Sequence, residues 1–227
     1  MDIVVISDIH GDVENLIAYL DKIKEYKFDV IVCPGDFTDA NTPRGFTQED
    51  IARLIIKELK MLKKPVLAVP GNMDPKNIIK ILEEEKISIH GKGVGIDDCG
   101  FYGCGGAQTP FGTNIEPTEE EIKTKLKEAL NDVKNFKYKV QVTHNPPNRS
   151  RLDMIQSGFH VGSNAVREAI ELYGPVAAIS SHIHEARGTD QLKNTFLMNS
   201  GRFPEGYFGL INIRDGSVNG KIINLLS

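Results

Sequence analysis

Apolar residues in this chain fall into two kinds of run. Five are short: Ile3 to Ile6, Val30 to Cys33, Pro65 to Val69 and Val176 to Ser180 are almost unbroken, and Val140 to Thr143 carries Gln141 between its two valines. Runs of this length read as strands buried on both faces. The others repeat every three or four residues and predict helices. Asp12 can cap a helix carrying Leu16, Ile17, Leu20 and Ile23 on one face. Thr47 and Asp50 form a capping-box pattern for a helix reaching about Lys63, with Ile51, Leu54, Ile55 and Leu62 inward. Asp74-Pro75 reads as an N-cap and first helical position, opening a helix to about Glu85. Thr118 and Glu121 open a charged helix over about 119–134, and Ala165 to Leu172 predicts another.

The pattern changes twice. Residues 86–106 give short strand-like segments, Ile87 to Ile89, Gly93 to Ile96 and Phe101 to Tyr102, broken by glycines, and 107–117 is an aperiodic Pro/Gly/Thr loop, long enough for a lid. The tail predicts strands at Phe196 to Met198, Tyr207 to Ile213 and Val218 to Leu225, with Asp215-Gly216 as a hairpin turn. Alternating β and α followed by antiparallel β predicts an α/β fold: a two-sheet β-sandwich flanked by helices, four layers α/β/β/α. With no linker or repeat, residues 1–227 read as a single domain.

Composition narrows the function. A 40% hydrophobic and 26% charged chain of 227 residues can bury a large core. The formal net charge of -4 argues against duplex nucleic acid as a partner. A small phosphoester substrate stays compatible with it, because bound cations invert the local field. Three cysteines make no disulfide framework: Cys33 sits in a strand, and Cys99 and Cys104 match no zinc spacing. No apolar run reaches about 18 residues, so no membrane span is expected. The chain opens directly on a strand, so a cytoplasmic setting is the expectation.

Polar residues cluster where the predicted strands end. Asp8 and His10 stand in S-D-I-H-G, Asp36 in P-G-D, Asn72 in P-G-N-M-D, His144 in T-H-N-P-P, and His182 with His184 in S-H-I-H-E. Alone, Asp36 or Asn72 would be a turn residue and the His pair a solvated loop. Together they are a ligand set, placed where sites form at the carboxyl ends of strands in α/β sheets. Carboxylate, imidazole and amide donors suit a borderline divalent ion such as Mn, Fe, Co, Ni or Zn rather than Ca.

In this order the motifs resemble those of the calcineurin-like metallophosphoesterase superfamily, from residue 8 to about 201. The resemblance implies a metal-dependent hydrolase of phosphate mono- or diesters with two divalent ions. Asp8, His10, Asp36 and His184 would hold the first and Asn72, His144 and His182 the second, with Asp36 shared. A hydroxide between the ions would be the nucleophile. A nuclease or cyclic-nucleotide phosphodiesterase of the same fold is the first alternative, and a non-catalytic metal-binding scaffold the second.

The chain departs from the family where G-N-H-D or G-N-H-E is usual, because Met73 replaces the imidazole. The resemblance assigns that imidazole to transition-state stabilisation or proton delivery, which Met cannot supply. Asp74 then reads as a helix cap. His160, in the glycine-flanked G-F-H-V-G, is the candidate substitute, beside Asp36 and Asn72 as catalytic candidates. Arg149, Arg151, Arg187 and Arg202 follow the motifs closely and are candidate phosphate contacts.

Overall fold

The computed structural model describes residues 1–226. Its elements run β1 (Asp2–Val5), α1 (Val13–Ile23), β2 (Val30–Cys33), α2 (Gln48–Lys60), β3 (Val66–Ala68) and α3 (Ile78–Glu84). Next come β4 (Gly93–Ile96), β5 (Cys99–Cys104), α4 (Glu119–Val133), β6 (Tyr138–Thr143), α5 (Asn164–Tyr173) and β7 (Ala177–Ser180). The chain closes with β8 (Gly188–Leu192), β9 (Thr195–Asn199), β10 (Tyr207–Arg214) and β11 (Ser217–Asn224).

The strands form two mixed sheets. One has five strands in the order β11-β10-β1-β2-β3; the other has six, in the order β4-β5-β6-β7-β9-β8. Parallel pairs lie at the centre of each sheet, with Ile3 opposite Val30 in the first and Val140 opposite Ala177 in the second. Antiparallel partners close the remaining sides: β10 and β11 in the first sheet, β4 and β8 in the second. Asp215 and Gly216 both have positive φ, 50° and 83°, which is what a two-residue turn between β10 and β11 requires.

Strand alternation explains the layers. Val4 and Ile6 pack with α1, α2 and α3 through Leu16, Ile55 and Ile81. Their neighbours Ile3 and Val5 face the other way, into an inter-sheet core with Phe101, Val142, Ile179 and Met198. Tyr102, Leu197 and Ala178 complete a third layer under α4 and α5 with Leu126 and Ile170. The order is therefore α/β/β/α, as the sequence predicted. No helix among the described residues is long and apolar enough to cross a membrane.

Three local expectations need correction, and one hairpin was missed. Ile17 is exposed, and Tyr19 takes the inward place on α1. The Asp74-Pro75 start is not a helix start, since α3 begins at Ile78 with Asn77 before it. Ile87 to Ile89 forms no strand; only Ser88 and His90 make isolated bridges, to Ala68 and Gly103. The β8–β9 hairpin was not anticipated, because β8 reads Gly-Thr-Asp-Gln-Leu, a polar edge strand without an apolar run.

The inter-sheet layer should be the stability determinant. Phe101 is fully buried within it, and Phe101→Ala is expected to cost about 3–5 kcal/mol in chemical denaturation.

Candidate metal centre

The parallel strands β1, β2 and β3 of one sheet and β6 and β7 of the other end on the same side of the sandwich. Asp8, Asp36, Asn72, His144, His182 and His184 follow those ends, and His10 follows Asp8 by two residues. The turns are tied to each other across the sheet. The Asp8 amide donates to the Gly35 carbonyl at 3.2 Å, that of His10 to Asp36 at 3.1 Å, and that of Ser181 to His144 at 3.0 Å. Asp8, His10, Asp36 and His182 all have left-handed backbone, with φ of 51°, 51°, 52° and 71°. Such strain in non-glycine residues gathers at functional sites, and Asp and His tolerate it better than most.

All seven residues come together, in two groups. Asp8, His10 and His184 each offer one ligand atom within 4.8 Å of the others, and so do Asp36, His144 and His182. In the first, His10 Nε2 faces His184 Nε2 at 3.2 Å, and His184 Nε2 lies 3.5 Å from Asp8 Oδ1. In the second, His144 Nε2 lies 2.8 Å from Asn72 Oδ1 and 3.4 Å from Asp36 Oδ2. Asp36 Oδ2 is also 4.0 Å from His10 Nε2, so this carboxylate faces both groups.

A family model described as calcineurin-like phosphoesterase matches residues 1–186. The chain belongs to the calcineurin-like phosphoesterases. An uncharacterized protein of Methanocaldococcus jannaschii is 36% identical over 215 residues, covering 92% of this chain and 90% of its own. Among solved structures, a protein of Thermus thermophilus aligns with a TM-score of 0.71 at 18% identity, over 96% of this chain and 97% of that one. An archaeal phosphodiesterase aligns at 0.56 and 16% identity, over 98% of this chain and 100% of that one. These two structural likenesses speak for the fold. As a calcineurin-like phosphoesterase the chain is a metal-dependent hydrolase of phosphate esters.

The donor set of this calcineurin-like phosphoesterase fits divalent cations. Asp8 Oδ2 is buried with no hydrogen-bond partner, a costly state for a carboxylate oxygen unless a cation meets it. His144 Nδ1 lies 2.8 Å from the Pro34 carbonyl, which can only accept, so Nδ1 carries the proton and Nε2 points at the centre. Burial disfavours a charged His144, but the Asp36 carboxylate outweighs it and raises the imidazole to about 9. Burial would likewise raise Asp36, yet His144, His10 and the Met73 amide hold it low. Burial, then His144, lowers His182 to about 4, so that ring is neutral and ready to ligate.

Close backbone contact shapes the second group. A Cβ on Gly71 would lie 2.0 Å from Asp36 Oδ1, and one on Gly35 would lie 2.7 Å from His144 Nδ1. Asp74 is buried beneath this turn rather than capping a helix. It accepts from the Gly71 amide at 2.8 Å and from the Thr38 amide at 2.9 Å. Burial and the nearby Asp36 push its carboxyl up, against those two donors. The sequence signal for a cap and for such a brace is the same short acid before proline, so only the fold separates them.

A cavity of about 520 Å³ opens over the ligands. Of the four candidate arginines, Arg202 lines it. Arg187 instead stacks its guanidinium 4.1 Å over the Tyr207 ring. Arg149 and Arg151 use their backbone amides, on Asp153 and Asp190, and neither lines the cavity. His160 is not in the cavity lining either; its Nδ1 lies 2.6 Å from the buried Asp153, a contact that closes a surface hairpin.

The 107–117 loop contributes more than its sequence suggested. Asn72 Nδ2 donates to Thr113 Oγ1 at 3.1 Å, which turns the amide oxygen toward His144. Thr113 in turn donates to Glu116 through its amide and its hydroxyl, both at 2.6 Å. Asp39, 3.9 Å from His10 Nδ1, also escaped the sequence reading, because it lies in a loop with no periodicity.

Metal uptake should be proton-coupled. In the metal-free protein His144 keeps its Nε2 proton up to about pH 9, and a cation must displace it. Affinity is expected to climb as pH rises toward about 9 and then level, with proton release on binding at neutral pH. Calorimetry in two buffers of different ionisation enthalpy checks this; identical heats at neutral pH would contradict it.

Proposed function

We propose that the centre is dinuclear, with Asp8, His10 and His184 holding one divalent ion and Asn72, His144 and His182 the other. Asp36 is shared between them. The observation that carries this is the position of Asp36 Oδ2, 3.4 Å from His144 Nε2 and 4.0 Å from His10 Nε2. Its other oxygen, Oδ1, is committed to the Met73 amide at 2.8 Å, which fixes the carboxylate in place. When bound, two such ions polarise the phosphoryl group and make a water nucleophilic at neutral pH.

The chain's own residues then orient the ester. Arg202, on the cavity wall, can pair with a phosphoryl oxygen through its guanidinium. In hydrolysis the water oxygen bonds to phosphorus, the ester P–O bond breaks, and the alcohol departs with a proton. Met73 lines the cavity and has no proton to give. Its backbone is fully engaged, with the amide on Asp36 and the carbonyl accepting from Gln48 Nε2 and Asn114 Nδ2. This arrangement supports turnover of esters whose leaving alcohol needs little protonation. A nuclease reading is weaker, because among the described residues Arg202 is the only Lys or Arg on the cavity wall, and long polyanions call for several.

Asp36→Asn is expected to lower kcat/KM on p-nitrophenyl esters by about 10²–10³-fold, on the scale of removing one transition-state charge stabiliser. Metal content, measured by elemental analysis, should fall with it. Full metal loading without turnover on any ester, in the unaltered protein, would instead favour the scaffold. Met73→His is expected to raise rates by up to about 10²-fold for esters of poorly acidic alcohols, the scale of a general acid. Its effect on p-nitrophenyl esters should be small, so the dependence of rate on leaving-group acidity should flatten. Equal slopes in the two proteins would refute this role of position 73.

A further inference from the structure

The cavity floor is polar, but its walls are not. Met73, Pro110, Phe111, Ile155, Val161 and Ile183 supply apolar side chains around the metal ligands. They come largely from two separate lips. Phe111 stands on the 107–117 loop with 85% of its surface exposed, and Val161 stands on the 153–161 hairpin with 39% exposed.

Neither lip is a loose loop. Glu116 gathers Thr109 Oγ1 at 2.7 Å and both donors of Thr113 at 2.6 Å. The Asn114 and Ile115 amides both donate to the Asn72 carbonyl, at 3.0 and 3.2 Å. On the other side the buried Asp153 accepts from the Arg149, Ser150 and Gly162 amides, all at 3.0 Å, and contacts His160. Polar networks therefore hold apolar side chains out in solvent beside the reactive centre. Rigid exposed apolar surface of this kind marks a binding site.

Charge limits what can sit between the lips. Among the described residues Arg202 is the only Lys or Arg on the wall, and Asp39 is a carboxylate on it. Beyond the ligand set this favours one phosphate group of low charge over a chain of phosphates.

Building on the phosphoesterase reading above, we propose that the cleft selects phosphodiesters whose ester arm is apolar and about the size of an aromatic ring. The arm is gripped between Phe111 on one lip and Ile155 with Val161 on the other. Phe111 and Ile155 are thus specificity-determining residues. A hydrophobic aryl group and a nucleobase both present a flat face of this size, and the test separates them.

The test keeps the leaving group constant and uses the full chain with added Mn²⁺. Methyl p-nitrophenyl phosphate, phenyl p-nitrophenyl phosphate and thymidine 5′-(p-nitrophenyl phosphate) all release p-nitrophenol, so differences report the retained arm. The better of the two flat-armed esters should exceed the methyl ester by about tenfold or more in kcat/KM, mainly through KM, on the scale of pocket discrimination between apolar groups. Which one is better identifies the arm as aryl or nucleobase. Phe111→Ala and Ile155→Ala should each shrink the preference, whereas Leu172→Ala, an exposed apolar residue on α5, should leave it intact. A methyl ester turned over as fast as both flat-armed esters overturns the proposal and leaves the phosphoesterase reading standing. An unchanged preference in both lip variants does the same. Hydrolysis of none of the three diesters, with Mn²⁺ bound and p-nitrophenyl phosphate turned over, overturns the proposal alone; only if that monoester is inert as well does the phosphoesterase reading itself fail.

Discussion

Lone pairs crowd one end of the two sheets, and positive charge is what allows them to stay there. Asn72 Oδ1, His144 Nε2 and Asp36 Oδ2 converge on one side, and Asp8, His10 and His184 on the other. Acceptors packed this closely repel one another, and a carboxylate oxygen buried without a partner adds to the cost. In the metal-free protein a proton on His144 answers part of that demand. Divalent ions would answer all of it. The rest of the molecule resists the tendency of these groups to move apart.

That resistance is built in layers. Three apolar cores fix the strands from which the ligand turns emerge, so the turns cannot separate without disturbing Ile3, Phe101 or Leu126. Backbone hydrogen bonds then tie turn to turn, across both sheets. Beneath them Asp74 fastens the Gly71 turn to Thr38. A carboxylate that holds backbone amides in this way sets the position of Asn72 without touching a substrate.

The sequence carried the centre more clearly than its surroundings, for a physical reason. Asp8, His10, Asp36, Asn72, His144, His182 and His184 drew notice because each follows a short, largely apolar run that reads as a strand, and because their order resembles that of a known family. The layer order was legible for the same reason. Asp74 was misread because a cap and a buried brace share one local pattern, an acid before proline. Ile17 was misplaced because helical periodicity leaves the edge of an apolar face undetermined. The fates of Arg149, Arg151, Arg187 and His160 depend on where loops turn, and no periodicity encodes that. Thr113 and Glu116 gave no signal at all, since a hydroxyl and a carboxylate in a polar loop look like solvated side chains.

The Asn72–Thr113–Glu116 chain has one more implication. The same three residues orient an amide oxygen at the metal centre and hold the segment that presents Phe111. Whatever steadies one end of this chain steadies the other. If ions bind at Asn72 and substrate against Phe111, as proposed, cation affinity and substrate affinity become linked quantities, and any effect of one on the other is returned by the same factor, as thermodynamic reciprocity requires. On that reading, a cell short of the metal would see this protein lose its grip on substrate as well as its chemistry.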